Sequence, residues 1–125
     1  MSKEGFRNLE VWHDAKDLAV EIYKITMEGK LSMDFSLRDQ MRRAAVSIPS
    51  NIAEGDERYT NKESIRFLYI AKGSLAELQT QLVIAYEIGY IDVKQLSFLE
   101  NNCTLVGKKL GALIKAREKF YRQKE

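Results

Sequence analysis

Apolar residues recur along this chain at steps of three and four, in four long runs. Such steps line one face of an α-helix. The first run is Val11, Ala15, Leu18, Ile22 and Ile25. It predicts a helix over Leu9 to Glu28, ending before Gly29. Trp12, Ala19, Tyr23 and Thr26 form a second stripe on the same helix. Two stripes imply neighbours on more than one side, and one such neighbour belongs to a second copy of the chain if the protein self-associates. Trp12 and Tyr23 are then the residues expected at that interface.

The second run is Met41, Ala44, Ile48 and Ile52, and the only proline, Pro49, falls inside it. Pro49 removes the backbone donor that would reach the carbonyl of Ala45, and its ring crowds that carbonyl. An interior proline costs about 3 kcal/mol and bends or splits a helix. Ser47, Ser50 and Asn51 surround it with short polar side chains that can satisfy freed backbone groups or cap a restarted helix. The expectation is one kinked helix, or two collinear ones, over Leu37 to Arg58. Ser36 is its expected N-cap, with Asp39 three residues on.

The third run, Ile65, Leu68, Ala71, Leu75, Leu78, Leu82 and Ala85, predicts a helix over Asn61 to Glu87. Thr60 with Glu63 caps its start, and Gly89 closes its end. The fourth run is Leu96, Leu99, Cys103, Val106, Leu110 and Leu113, continuing toward Phe120 behind a cap of Asp92 and Gln95. Gly73, Gly107 and Gly111 lie inside these two helices. Each costs roughly 1 kcal/mol against alanine, which close approach of another backbone would offset. No strand pattern competes. The expected fold is all-α: an antiparallel, up-down-up-down four-helix bundle whose second helix is kinked at Pro49. It is one domain over residues 1–125, with an ordered core of roughly residues 6–120.

Composition changes this picture little. One proline and seven glycines in 125 residues argue against a loop-rich or all-β fold. Charge changes it more. The net charge is +2, yet Lys108 to Glu125 holds seven basic residues and two acids, a net of +5. That asymmetry points to an anionic partner for the C-terminal segment. A single cysteine, Cys103, cannot form an internal disulfide and suits a reducing compartment. No apolar run approaches a membrane span, and the polar start MSKEGFRN does not read as a secretory signal. The expected location is the cytoplasm.

Candidate chemistry is sparse. Bundle di-iron sites take Glu-x-x-His from two helices, and this chain has one histidine, His13. Cys103 falls in the apolar seam, as a small buried residue does. Glu54, Glu63 and Glu77 stand on helices with nothing to pair them into an acid–base couple. The expectation is no catalytic residue, no metal and no cofactor. The cations carry the remaining signal. Lys108, Lys115, Lys119 and Arg122 share one stripe, with Tyr121 close by in sequence. Such a row beside an aromatic can contact phosphates and stack a base, but on the sequence alone the helix dipole and solvation of a surface helix come first. Arg42 and Arg43 form a second pair, suited to phosphate oxygens or to inter-helix carboxylates.

The segment QMRRAAVSIPSNIAEG, Gln40 to Gly55, resembles the signature of a known family. Phe6, Leu9, Trp12, Ala15, Leu18 and Tyr23 look like that family's opening pattern, and FLYIAKGSLAEL, Phe67 to Leu78, like its third helix. The family comprises small four-helix-bundle proteins encoded by intervening sequences in bacterial large-subunit ribosomal RNA genes. It is related to the accessory protein of diversity-generating retroelements. The resemblance runs from about Phe6 to Phe120. It implies a homo-oligomer, a ring-shaped pentamer in relatives, with a positively charged surface that binds nucleic acid, RNA being the expected form. Arg42 and Arg43 then fall at a basic pair, and Ser47, Pro49, Asn51, Glu54 and Gly55 at polar and turning positions. The loop KLSMDFSLRDQ departs from relatives, which carry a proline and a Glu-x-Tyr-Gly-Leu-like run there. A protein–protein assembly or adaptor module is the alternative function, with the helix faces binding a protein partner.

Overall fold

The computed structural model describes residues 5–124, with side chains through Tyr121. A 3₁₀ turn, Gly5–Asn8, leads into five helices: α1 (Glu10–Ile25), α2 (Gly29–Met33), α3 (Phe35–Asp56), α4 (Asn61–Glu87) and α5 (Val93–Lys124). No strand occurs among the described residues.

The helix ends are set by local hydrogen bonds. Thr60 Oγ1 accepts from the Glu63 amide at 3.2 Å at the start of α4. Asp92 and Gln95 make a reciprocal box: the Gln95 amide donates to Asp92 at 2.8 Å, and the Asp92 amide to Gln95 Oε1 at 2.9 Å. Gly89, with φ +83°, closes α4. The Tyr90 amide reaches back to the Ala85 carbonyl and the Gly89 amide to that of Tyr86, a Schellman arrangement.

Two boundaries differ from expectation. α1 stops at Ile25, because the amides of Met27 and Glu28 tighten to partners three residues back and Gly29 turns left-handed at φ +56°. The expected loop therefore contains the single turn and a half of α2. α3 is capped by Asp34, not Ser36: Asp34 Oδ1 accepts from the Leu37 amide at 3.1 Å. Its other oxygen accepts from the Tyr90 hydroxyl at 3.1 Å, tying the α4–α5 turn to the start of α3. That bond raises the Tyr90 pKa, with burial and the Asp34 charge adding to it.

α3 packs on α1 and α4, and α5 packs on α4 and α1. The main contacts of the four long helices thus close a ring, and α3 and α5 meet where Arg117 pairs with Asp56. Their seams meet in one core that includes Ala15, Leu18, Ile22, Met41, Ile48, Ile52, Leu68, Leu78, Leu82, Leu99, Cys103 and Leu110. The second stripe of α1 is spent largely within the chain: Ala19 and Thr26 are buried, and Trp12 packs against the core. Two seam positions shift. Ser64 is buried where Ile65 was expected, and Ile114 is buried while Leu113 is half-buried. In α4 the buried line from Ser64 through Leu68 to Ala85 keeps an even alternation of four and three; in α5 the step of four from Leu110 to Ile114 breaks it, as a true period of 3.6 does over a long helix.

α3 runs through Pro49 as one continuous helix, with Pro49 buried. Of the interior glycines, Gly107 meets a neighbour, Leu75, while Gly73 and Gly111 face open space. The close approach lies elsewhere. A methyl group on Gly55 would sit 3.1 Å from the Ser64 carbonyl oxygen and 3.3 Å from Phe67 Cβ. Gly55 lets the end of α3 lie directly on the start of α4.

Candidate nucleic-acid surfaces

Arg42 is half-buried at the α1–α3 seam. Its Nε donates to Thr26 Oγ1 at 2.8 Å, and its guanidinium lies 4.7 Å from the centroid of Tyr23. Thr26 in turn donates to the Ile22 carbonyl at 2.7 Å, so its hydroxyl is satisfied as donor and acceptor. Arg42 is therefore held by a neutral hydroxyl and an aromatic face, and no ion pair to it occurs among the described residues. Arg43, the next residue, is exposed. Tyr23, Asp39, Arg42, Arg43, Val46 and Ser47 line one open groove. Asp39 is engaged by Arg38 at 2.9 Å, which leaves the two arginines as the cations of that groove.

The polar residues around Pro49 form a structural network. Ser47 Oγ lies 2.8 Å from Ser74 Oγ across the α3–α4 contact. Asn51 Nδ2 donates to the Ser47 carbonyl at 2.8 Å and to Ser47 Oγ at 2.9 Å. It serves a carbonyl one turn before itself, not the Ala45 carbonyl that Pro49 leaves without its donor. Ser50 is exposed, and Glu54 pairs with Arg58 at 2.8 Å on the surface.

On α5, Lys108, Lys115 and Lys119 are exposed and have no ion pair among the described residues. The side chain of Arg122 lies outside the described residues. Two other cations of this segment turn inward. Lys109 bonds Asp14 at 2.5 Å and Glu10 at 2.9 Å on α1. The hydrogen bonds to Asp14 and then Glu10 raise its pKa against the opposing effect of burial. Arg117 donates to Ser64 Oγ at 2.6 Å and to Asp56 at 3.1 Å, joining α3, α4 and α5. Sequence reasoning missed both. The available signal was position: Arg117 continues the buried line Leu110 and Ile114 by three residues, so its side chain starts from the seam.

The arginine groove lies at the α1–α3 seam and the lysine row on α5, and no groove described here brings the two together. Tyr121 does not join the row. It follows Lys119 by two residues, roughly 200° around the helix, and is half-buried.

The remaining reactive side chains have structural partners. His13 Nε2 lies 2.7 Å from the Arg7 carbonyl, and its ring meets Trp12 edge-on at 5.0 Å. Cys103 is buried, and burial, with some help from Glu100, pushes its thiol up to about 12. Its thiol should resist iodoacetamide at about pH 8 in the native state and react on unfolding, since an ordinary thiol ionises near ~8.5. Mass spectrometry with and without urea measures this. Rapid native labelling would contradict the packing described. Among the described residues, no group of three or more His, Cys, Asp or Glu is placed to hold a metal ion. No described helix is long and apolar enough to cross a membrane.

These features define a class: a small all-helical protein with one shared core and outward-facing cations on its long helices. The pattern of the 23S rRNA-intervening sequence protein family matches residues 7–112, and the chain belongs to that family. A crystal structure of a protein of unknown function from the S23 ribosomal protein family, from Bacteroides thetaiotaomicron VPI-5482, is similar to it. The two share 27% identity with a TM-score of 0.77, over 84% of this chain and 98% of the other. No curated protein matches the chain.

Proposed function

We propose that this protein is a non-catalytic, homo-oligomeric nucleic-acid-binding protein, associated with RNA, that binds through basic helix faces. The observation that carries this reading is the α5 row: Lys108, Lys115 and Lys119 point outward and are unpaired among the described residues, while Lys109 and Arg117 are bound to carboxylates. Arg42 and Arg43 form the second contact, with Arg42 pre-ordered by Thr26 and Tyr23. Family membership supports RNA as the partner.

The same reading takes the ring of helices as an antiparallel four-helix bundle, bent at Pro49. It places the protein in the cytoplasm, assembled as a pentamer by the resemblance, with Trp12 and Tyr23 at the interface between copies. Backbone contact predicts weak base preference and strong salt dependence. Titration of structured RNA at several salt concentrations tests it. Affinity that ignores salt, or no binding at low salt, removes the proposal.

An adaptor function is the second reading. It draws on the outer side of α4, where Ile70, Val83 and Ile84 are exposed beside Gly73 and Thr80. A protein partner that co-purifies, is lost on changing Trp12 or Tyr23, and survives charge reversal at Lys115 and Lys119 would favour it.

A further inference from the structure

The outward face of α5 extends well beyond the three lysines. Lys94, Ser97, Asn101, Thr104, Lys108, Ala112, Lys115 and Lys119 follow one another at steps of three and four, and every one is exposed. From Lys94 to Lys119 the row measures about 38 Å at the helical rise of ~1.5 Å per residue. It carries four lysines and no carboxylate. The nearest acids on α5, Glu100 and Glu118, are turned toward the α4 side, where Glu118 accepts from the Tyr69 hydroxyl at 3.0 Å.

The row also holds no aromatic residue. Phe98, exposed, borders the row between Lys94 and Asn101 on the α1 side, where it lines a groove with Asp14, Asp17 and Leu105, and Tyr121 starts from the opposite side of the helix. This absence discriminates between forms of nucleic acid. Surfaces for single strands combine cations with aromatic platforms on which bases stack. A long helix whose cations stand at fixed heights, with only small side chains between them, matches instead a partner whose phosphates are themselves at fixed positions and whose bases are already stacked. Asn101 supplies an amide that can donate to a phosphate or a hydroxyl. Thr104 spends its proton on the Glu100 carbonyl at 3.0 Å, which leaves its oxygen to accept from a ribose hydroxyl. Such hydroxyls line the wide minor groove of an RNA duplex.

We propose that the outer face of α5 binds the sugar–phosphate backbone of an RNA duplex, and that Lys94 and Asn101 belong to this surface. The inference rests on the nucleic-acid reading above and specifies the form bound.

The test uses the full chain and fluorescence anisotropy against an RNA duplex of about 20 bp, longer than the ~16 bp that a double-stranded-RNA domain spans. One of its strands, free of self-pairing, and the DNA duplex of the same sequence are the comparisons. The RNA duplex binds tightest, and the plot of log affinity against log salt has a slope of about −3 to −4, as four phosphate contacts require. Lys94→Gln lowers duplex affinity by about eightfold at ~0.1 M salt and reduces the slope by about one. Asn101→Asp weakens it at least as much, because it places a carboxylate in the row. Both residues are exposed on a helix surface, so circular dichroism should show the fold intact.

A single strand bound as well as the duplex overturns this inference and leaves the nucleic-acid reading standing. Equal affinity for the DNA duplex overturns the part given to the ribose hydroxyls. A duplex bound undiminished by both variants lies on another surface and overturns the assignment to α5. Failure of every probe to bind at low salt overturns both readings together.

Discussion

Changing Lys108, Lys115 and Lys119 together to glutamine is expected to lower RNA affinity by about 10²–10³-fold at ~0.1 M salt. Each lysine that neutralises a phosphate releases about 0.9 of a counterion, and each such release is worth a factor of about eight at that salt. The three side chains are exposed and unpaired among the described residues, so the folded chain loses no contact described above. The loss should shrink as salt rises, and the thermal midpoint should hardly move. Lys109 provides the contrast. Its ammonium already bonds Asp14 and Glu10, so Lys109→Gln should alter stability more than RNA affinity. Equal losses of affinity from Lys109 and from any member of the row would show that simple net charge, not the outward row, governs binding.

The second large effect concerns stability. Arg117→Ala should destabilise the fold by about 2–4 kcal/mol. The carboxylate of Asp56 is only 11% exposed, and Arg117 is its ion-pair partner among the described residues. Ser64, 1% exposed, would lose the bond to Arg117 as well. Removing one member of a desolvated pair strands the other, whereas removing both does not. Asp56→Leu combined with Arg117→Ala should therefore cost less than the two single changes added together. Urea denaturation of the four proteins measures the coupling. Strict additivity, or a loss below about 0.5 kcal/mol for Arg117→Ala, would mean that water replaces the pair without penalty.

Gly55 belongs to the same corner of the molecule. Its neighbour Asp56 holds Arg117, and its bare backbone lets Ser64 and Phe67 come close. The resemblance put Gly55 among polar and turning positions, within a second helix expected to run to Arg58. The structure buries it inside α3, as the contact point between α3 and α4. A glycine near a helix end reads the same way in either role, because both need only the missing side chain.

Much of the fold was legible before any coordinates. The caps Thr60 and Asp92, the closure at Gly89 and the run from Asn61 to Glu87 all appear where the pattern placed them. The start of α3 was misassigned because Asp34 and Ser36 are both competent caps. Asp34 is the one that also meets Tyr90, fifty-six residues away, which donates to its carboxylate. The second stripe of α1 was legible as a contact surface, but its occupant was not. Thr26 turned out to be the seat of Arg42, sixteen residues on.

Local order was thus written in the amino acids themselves: where helices begin and end, which face is apolar, and that one long helix carries many cations. Those properties arise between residues three or four apart, where periodicity and capping act directly. Which cations remain available to a partner was decided only by the assembled core. Lys109 finds Asp14 across ninety-five positions of chain, and Arg117 finds Asp56 across sixty-one. No local pattern encodes such a meeting, because an ammonium or guanidinium group is neutralised by whatever carboxylate the packing brings within a few ångströms.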